Sequence, residues 1–238
     1  MVPTAGPEVT VENRAVLTRP APGPVRALRY GPDADQVIDL WPDEGPVVAL
    51  VHGGFWRPEY DRTHLRPMAN ALHRAGYSVA AVEYRRKPGD PAATVADVRA
   101  AVGLLRPSVV VGHSAGGHLA LCAAPAGAAV LALAPVADLR LAARLGLDDG
   151  AVTDFLGGPP DDHPGLDPAR LPDPPGPVVI VHGTADGRVP VGVSESYVAA
   201  HPATSLVRVP GAGHFVLIDP ESRTWPLVER ELTALLPV

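Results

Sequence analysis

Apolar residues in this chain fall into short runs with two different periods, and those runs predict its elements. "VVALVHGG" (47–54) is continuously apolar and ends in glycines, as a strand buried on both faces does. "YSVAAVEYR" (77–85), the stretch 108–111, "AVLALAP" (129–135), "PVVIVHG" (177–183) and "TSLVRVPG" (204–211) repeat that signature. "VRALRYG" (25–31) and "QVIDLWP" (36–42) flank a Pro/Asp turn and read as two further strands, free to pair antiparallel. Between them lie helical spacings. "THLRPMANALHRAG" (63–76) has a Thr cap, apolar Leu65, Met68 and Leu72, and a closing Gly76. Pro91 opens a helix over 91–105. Further helices are predicted from about 115 to 124, 190 to 200 and 220 to 235.

Strands alternating with helices predict an α/β fold with a mostly parallel central sheet covered on both faces. The rhythm breaks over 138–176, where Asp, Pro and Gly cluster and only a short helix near 138–145 is expected. That insertion is too small for a second domain and suits a lid over the strand C-termini, where open α/β sheets bind ligands. Residues 1–24, rich in Pro, Thr and Gly, read as an irregular lead-in to a single domain over 25–238. No internal repeat is visible.

The chemistry starts in "VVVGHSAGGHLAL" (109–121), which holds G-x-S-x-G where a strand becomes a helix. In such a turn Gly112 and Gly116 are required because a side chain there would strike neighbouring backbone. Ser114 is thereby lifted above the sheet at a helix start, where N–H groups favour developing negative charge. An activated serine needs a base, and the base needs an orienting carboxylate. Of the five histidines after Ser114, His214 lies in "PGAGHF", a loop directly after a strand, and is the candidate base. His163 falls in the polar insertion, His201 ends a helix, His182 lies in a buried strand, and His118 follows Ser114 by one helical turn. Asp186, in "VHGTADGRVP", is the candidate acid; Asp138, after the strand 129–135, is its competitor and a candidate to border the substrate pocket. "HGGFW" (52–56) follows a core strand, and its glycines let backbone N–H groups face a substrate. Gly53, Gly54 and Phe55 with Ala115 are the candidate oxyanion hole, and Phe55, Trp56 and His113 candidate pocket residues, while His52 is expected to brace the loop.

Composition adds exclusions. Of 238 residues, 46% are hydrophobic and 19% charged, which is globular and not disordered. A net charge of −6 with no basic run gives no case for nucleic acid or an anionic membrane as partner. No 18-residue apolar run and no signal-peptide pattern is visible, so a cytoplasmic protein is expected. The one cysteine, Cys122, sits in an apolar helical run and reads as a buried, inert thiol. No metal-ligand or nucleotide motif appears, so no metal and no cofactor is expected. The sequence leaves oligomeric state open, a homodimer included.

"HGGFW", "EYRR", "GHSAGGHLAL", "PVADL", "HGTAD" and "GAGHF" follow one another in the order of the α/β-hydrolase superfamily, which the chain resembles from about residue 25 onward. Within it the chain resembles the serine esterase branch with an HGG oxyanion loop, which includes carboxylesterases and kynurenine formamidase (arylformamidase). The resemblance implies Ser114 as nucleophile, Asp186 as carboxylate, His214 as base, and a small ester or aryl amide as substrate. HGG-Phe in place of HGGG and "EYRRKPGDP" depart from the lipase-type group. The "HGTAD" loop is also similar to prolyl-oligopeptidase-like peptidases, so short peptides form an alternative substrate class. A hydrolase fold that only binds its ligand is the non-enzymatic alternative.

Overall fold

Continuous β-branched runs form the centre of one eight-stranded sheet. The strands are β1 (Arg26–Arg29), β2 (Val37–Trp41), β3 (Val47–Val51), β4 (Ser78–Val82), β5 (Val109–His113), β6 (Ala129–Leu133), β7 (Val178–Gly183) and β8 (Ser205–Val209). The structure is a computed structural model and describes residues 13–236. Spatial order is β1-β2-β4-β3-β5-β6-β7-β8. The pairs β1–β2 and β2–β4 are antiparallel and all others parallel. Every residue of β5 and β6 is buried, as strands covered on both faces must be. At the edge, β1 is exposed along its whole length and carries an arginine at each end, which discourages pairing with another chain.

Helices α1 (Arg66–Arg74), α2 (Pro91–Leu105), α3 (Ala115–Ala123), α4 (Leu139–Arg144), α5 (Ala151–Leu156), α6 (Gly192–Ala200) and α7 (Trp225–Ala234) cover the sheet. Pro91 stands at the start of α2 as expected, with Asp90 accepting a hydrogen bond from the Ala93 N–H as its cap. Two large apolar layers result, one built around α2, α3 and α5, the other around α1 and α7. Among the described residues no helix is long and apolar enough to cross a membrane.

Three features depart from the sequence expectations. The 138–176 stretch holds a second helix, α5, bracketed by Gly150 and Gly157, both with positive φ. The turn before it carries Asp148 and Asp149 in the left-handed region, and Asp148 accepts hydrogen bonds from Arg57 (2.8 Å) and Arg188 (2.5 Å). The lead-in also carries structure. Its residues 1–12 lie outside the described ones, but Ala15–Leu17 form a 3₁₀ turn with Val16 buried, and Arg19 pairs with Asp219.

Close backbone approach dominates the core of the sheet. A Cβ on Gly116 would lie 2.1 Å from the Val51 carbonyl oxygen and 2.4 Å from that of His52. Gly116→Ala is expected to cost about 3 kcal/mol or more, or to stop folding, because the obstacle is backbone. By contrast Gly103, exposed within α2, has nothing within 4 Å of its Cβ position. Gly103→Ala is expected to stabilise by about 0.5–1 kcal/mol through helix propensity. Urea unfolding of the two variants checks both signs.

Candidate active site

At the end of β5 the chain turns through Ser114 (φ 57°, ψ −122°) directly into α3. That backbone conformation is strained for a residue with a side chain, and it persists because its surroundings hold it. The Ser114 N–H donates to the Leu133 carbonyl (2.9 Å), and the Ser114 carbonyl accepts from Gly117 (2.9 Å) and Val136 (3.2 Å). A Cβ on Gly112 would fall 2.2 Å from the Gly116 carbonyl oxygen, so both glycines of the motif are sterically obligatory. Ser114 is buried at the sheet's C-terminal edge.

The loops after β7 and β8 are bound to each other. Ala185 N–H donates to the Ala212 carbonyl (3.0 Å) and Thr184 N–H to the Val209 carbonyl (3.0 Å). Gly183 permits this, since a Cβ there would sit 2.2 Å from the Ala212 oxygen. The loops bring His214 Nδ1 within 2.7 Å of Asp186 Oδ2. Asp186 Oδ1 accepts from the N–H groups of Arg188 and Val189, both at 2.8 Å, which fixes the carboxylate. His182 Nε2 lies 3.3 Å from Asp186 Oδ2 and 2.8 Å from the Val189 carbonyl. Burial pushes the Asp186 pKa up, but hydrogen bonds from His182 and His214, the His214 charge and the Val189 N–H outweigh it. The carboxyl is held well below its ordinary value, hence ionised.

The "HGGFW" loop lies against Ser114: a Cβ on Gly53 would approach the Ser114 Cβ to 2.9 Å. Gly54, Phe55 and Trp56 all have positive φ, at 111°, 48° and 56°, and the Arg57 N–H closes the turn on the Gly54 carbonyl (3.0 Å). His52 braces it from below, as expected. Its Nδ1 is 2.8 Å from the Gly53 carbonyl and its Nε2 2.9 Å from Glu83 Oε1. Its ring stacks on Tyr84 (4.3 Å), whose hydroxyl donates to the His52 carbonyl (2.7 Å). Glu83 also accepts from the Arg62 N–H (3.0 Å) and pairs with Arg86. The "EYRR" stretch is thus the foundation of the Gly53–Gly54 loop.

Ser114 and His214 open onto one cavity of about 30 Å³, walled by His113, Phe55, Tyr60 and Phe215. Arg14, Leu17, His64 and Arg188 complete its rim.

Comparison with known proteins bears on the fold that carries this site. The BD-FAE family model matches residues 42–132, from β3 through β6, including the Gly53–Gly54 loop and Ser114. No curated protein matches the sequence. Among solved structures, esterase B from Lactobacillus rhamnosis is 21% identical over 90% of this chain and 86% of its own, with a TM-score of 0.73. A thermophilic esterase from the Planctomycetes species Thermogutta terrifontis is 23% identical over 91% of this chain and 97% of its own, TM-score 0.70. An acetyl ester-xyloside bifunctional hydrolase from Caldicellulosiruptor lactoaceticus is 18% identical over 90% of this chain and 98% of its own, TM-score 0.71. The fold is that of the α/β-hydrolases.

Several expected residues take other places in this α/β-hydrolase fold. Trp56 does not wall the Ser114 cavity. It stacks on Phe155 of α5 (4.4 Å) and meets His118 edge-on (5.1 Å), beside a separate groove beyond Phe55. Phe55 meets the Trp56 ring edge-on (6.3 Å) and lies between that groove and the Ser114 cavity, lining both. Asp138 is not at the cavity either: it caps α4 through the Leu141 N–H (2.7 Å) and accepts from Ser196 Oγ (2.5 Å). His113 walls the cavity but also donates from Nε2 to the His214 carbonyl (3.1 Å). Burial, then the nearby charge of His214, pushes the His113 pKa well down, so it is neutral. His118 faces the Leu166 carbonyl (2.8 Å), and burial lowers its pKa to about 4. Burial raises the Cys122 thiol to about 12, so it is inert. His182, expected to pack or hydrogen-bond locally within its buried strand, lies behind Asp186 and faces the Val189 carbonyl and Ser194. Arg14 and Leu17 gave no signal, since no period marks their turn.

The Glu83 foundation yields a test. Burial raises its pKa, but the His52 hydrogen bond and charge, Arg86 and the Arg62 N–H lower it from 4.5 to about 2. A depressed carboxyl pKa contributes stability above the unfolded value and loses it as pH falls through the folded one. Glu83→Gln is therefore expected to cost about 3 kcal/mol near pH 7, with the gap to the native protein shrinking below about pH 4.5. Urea unfolding at about pH 7 and about pH 3 measures it.

Proposed function

We propose that this protein is a serine hydrolase that cleaves a small carboxylic ester or aryl amide through an acyl-enzyme. One observation carries the reading: His214 is oriented by an ionised Asp186 at 2.7 Å and shares a single small cavity with the strained Ser114. His214 takes the Ser114 proton as Oγ attacks the carbonyl carbon, and Asp186 stabilises the imidazolium. N–H groups of Gly54, Phe55 and Ala115 receive the oxyanion, with Gly53 letting that loop approach. His214 then protonates the leaving alcohol or amine, the acyl group stays on Ser114, and water activated by His214 releases the acid. Thermogutta terrifontis esterase 2 is phosphonylated by sarin, the behaviour of an activated nucleophile, which supports the same reading here. The 138–176 segment serves as the lid of a single domain, held by Phe155 on Trp56 and by Asp148.

The cavity size favours short acyl groups. About 30 Å³ is enclosed beside Ser114 between Phe55, Leu17 and Phe215, which favours formyl or acetyl over longer acyl chains. The aromatic walls give weight to the aryl formamide reading within this class.

Ser114→Ala is expected to abolish the acyl-enzyme burst and ester turnover while unfolding like the native protein. Asp186→Asn is expected to lower kcat by about 10⁴-fold, the loss known for this change in serine proteases, because a neutral amide permits the wrong His tautomer. Asp138→Asn keeps a good helix cap and is expected to turn over within a few-fold of the native rate. Activity of Asp186→Asn near native, with Asp138→Asn crippled, would reverse the acid assignment. Octanoyl p-nitrophenyl ester is expected to show kcat/KM at least about tenfold below the acetyl ester. Comparison of N-formylkynurenine with p-nitrophenyl acetate tests the formamide reading, which a rate near background rejects.

A further inference from the structure

The Ser114 cavity is walled by two guanidiniums, Arg14 and Arg188, and by no carboxylate among its lining residues. That runs against the chain as a whole, whose net charge is −6. The two arginines differ in how their charge is met. Arg188 is spoken for: it pairs with Asp148 at 2.5 Å, and its guanidinium lies 5.7 Å from the centre of the Phe55 ring. Arg14 sits 5.5 Å over the ring of Phe215, which itself meets the His214 ring edge-on at 5.0 Å. Among the described residues no carboxylate forms an ion pair with Arg14, although Glu59 and Asp61 line an outer groove with it.

The position of Arg14 is built. The turn Ala15–Leu17 that follows it is anchored by the buried Val16, and Leu17 joins Arg14 on the cavity wall. Arg19 ties the same segment to Asp219, whose carboxyl also accepts from the Glu221 N–H (2.9 Å). A cation is therefore held one aromatic ring away from the proposed base, at the mouth of a mostly apolar cavity. Arg14 is itself exposed, so it meets an anion arriving from solvent at the cavity mouth. The guanidinium's forked donors suit a carboxylate, which they bind more strongly than any neutral group.

We infer that Arg14 is a specificity residue, and that the substrate is an ester or amide that also carries a carboxylate, bound by Arg14 while Ser114 attacks the scissile carbonyl. This rests on the hydrolase reading above and narrows its substrate class to anionic compounds.

The test compares 4-acetoxybenzoate with its neutral methyl ester, two substrates with the same acetyl group. The native enzyme is expected to favour the carboxylate in kcat/KM by about tenfold. Arg14→Ala is expected to reduce that ratio by about tenfold, Arg14→Lys to retain part of it, and Arg14→Glu to favour the neutral ester. Arg26→Ala, on the exposed edge strand β1, removes the same charge away from the cavity and should leave the ratio at the native value. A native ratio near or below one, or a ratio indifferent to Arg14, overturns the inference and leaves Arg14 a surface cation. Binding separates this from failure of the hydrolase reading. The Ser114→Ala protein is titrated calorimetrically with 4-hydroxybenzoate and with 4-hydroxybenzamide, with and without Arg14→Ala. Arg14-dependent binding of the acid alone, together with a native protein that hydrolyses neither ester, keeps the anion site and removes the hydrolase. Turnover of the neutral ester without preferential acid binding does the reverse.

Discussion

Everything at this site depends on how closely three stretches of backbone can approach. β3 and its loop, the β5–α3 turn and the loops after β7 and β8 meet where no Cβ could stand. Added Cβ atoms at Gly53, Gly112, Gly116 and Gly183 would each fall within 3 Å of a neighbouring segment. With those spaces kept empty, the carbonyls of Val51 and His52 pack on α3, and the loop bearing Gly54 lies against Ser114. The strain at Ser114 is affordable because hydrogen bonds from both sides hold its peptide groups.

Around that steric centre, charge is arranged in layers. Asp186 is surrounded by donors and stays ionised beside His214. Glu83 performs the corresponding task beneath the opposite loop, gathering His52, Arg62 and Arg86. Both are buried acids whose desolvation is offset by several hydrogen bonds, so removal of a single partner leaves a charge uncompensated. Asp148 links the two halves from above, bridging Arg57 beside the Gly53–Gly54 loop and Arg188 beside Asp186.

Much of this was legible in the sequence because local rules and tertiary contacts agree there. Continuous β-branched runs marked the buried strands, and the GHSAG and HGG glycines sit where their contacts demand glycine. Asp186 and His214 could be paired because each follows a strand of the same sheet edge. Legibility failed where tertiary placement alone decides. Trp56 follows the Gly pair and reads as a pocket residue, yet two consecutive positive-φ residues turn it into the core. Asp138 follows a strand end like an acid, yet its side chain is consumed by the cap of α4. Helix α5 is only six residues long, too short for a period to show. Arg14 and Leu17 are set by where Val16 is buried, which no local pattern records.

The stacking of Trp56 on Phe155 has a spectroscopic consequence. All three tryptophans are buried, but Trp41 and Trp225 belong to the layer of α1 and α7, whereas Trp56 belongs to the layer of α3 and α5. A protein with phenylalanine at 41 and 225 would emit from one indole, held face to face on Phe155 of α5. Its emission maximum and quenching by acrylamide would then report, without any attached dye, how far water reaches that ring and the packing of α5 on it.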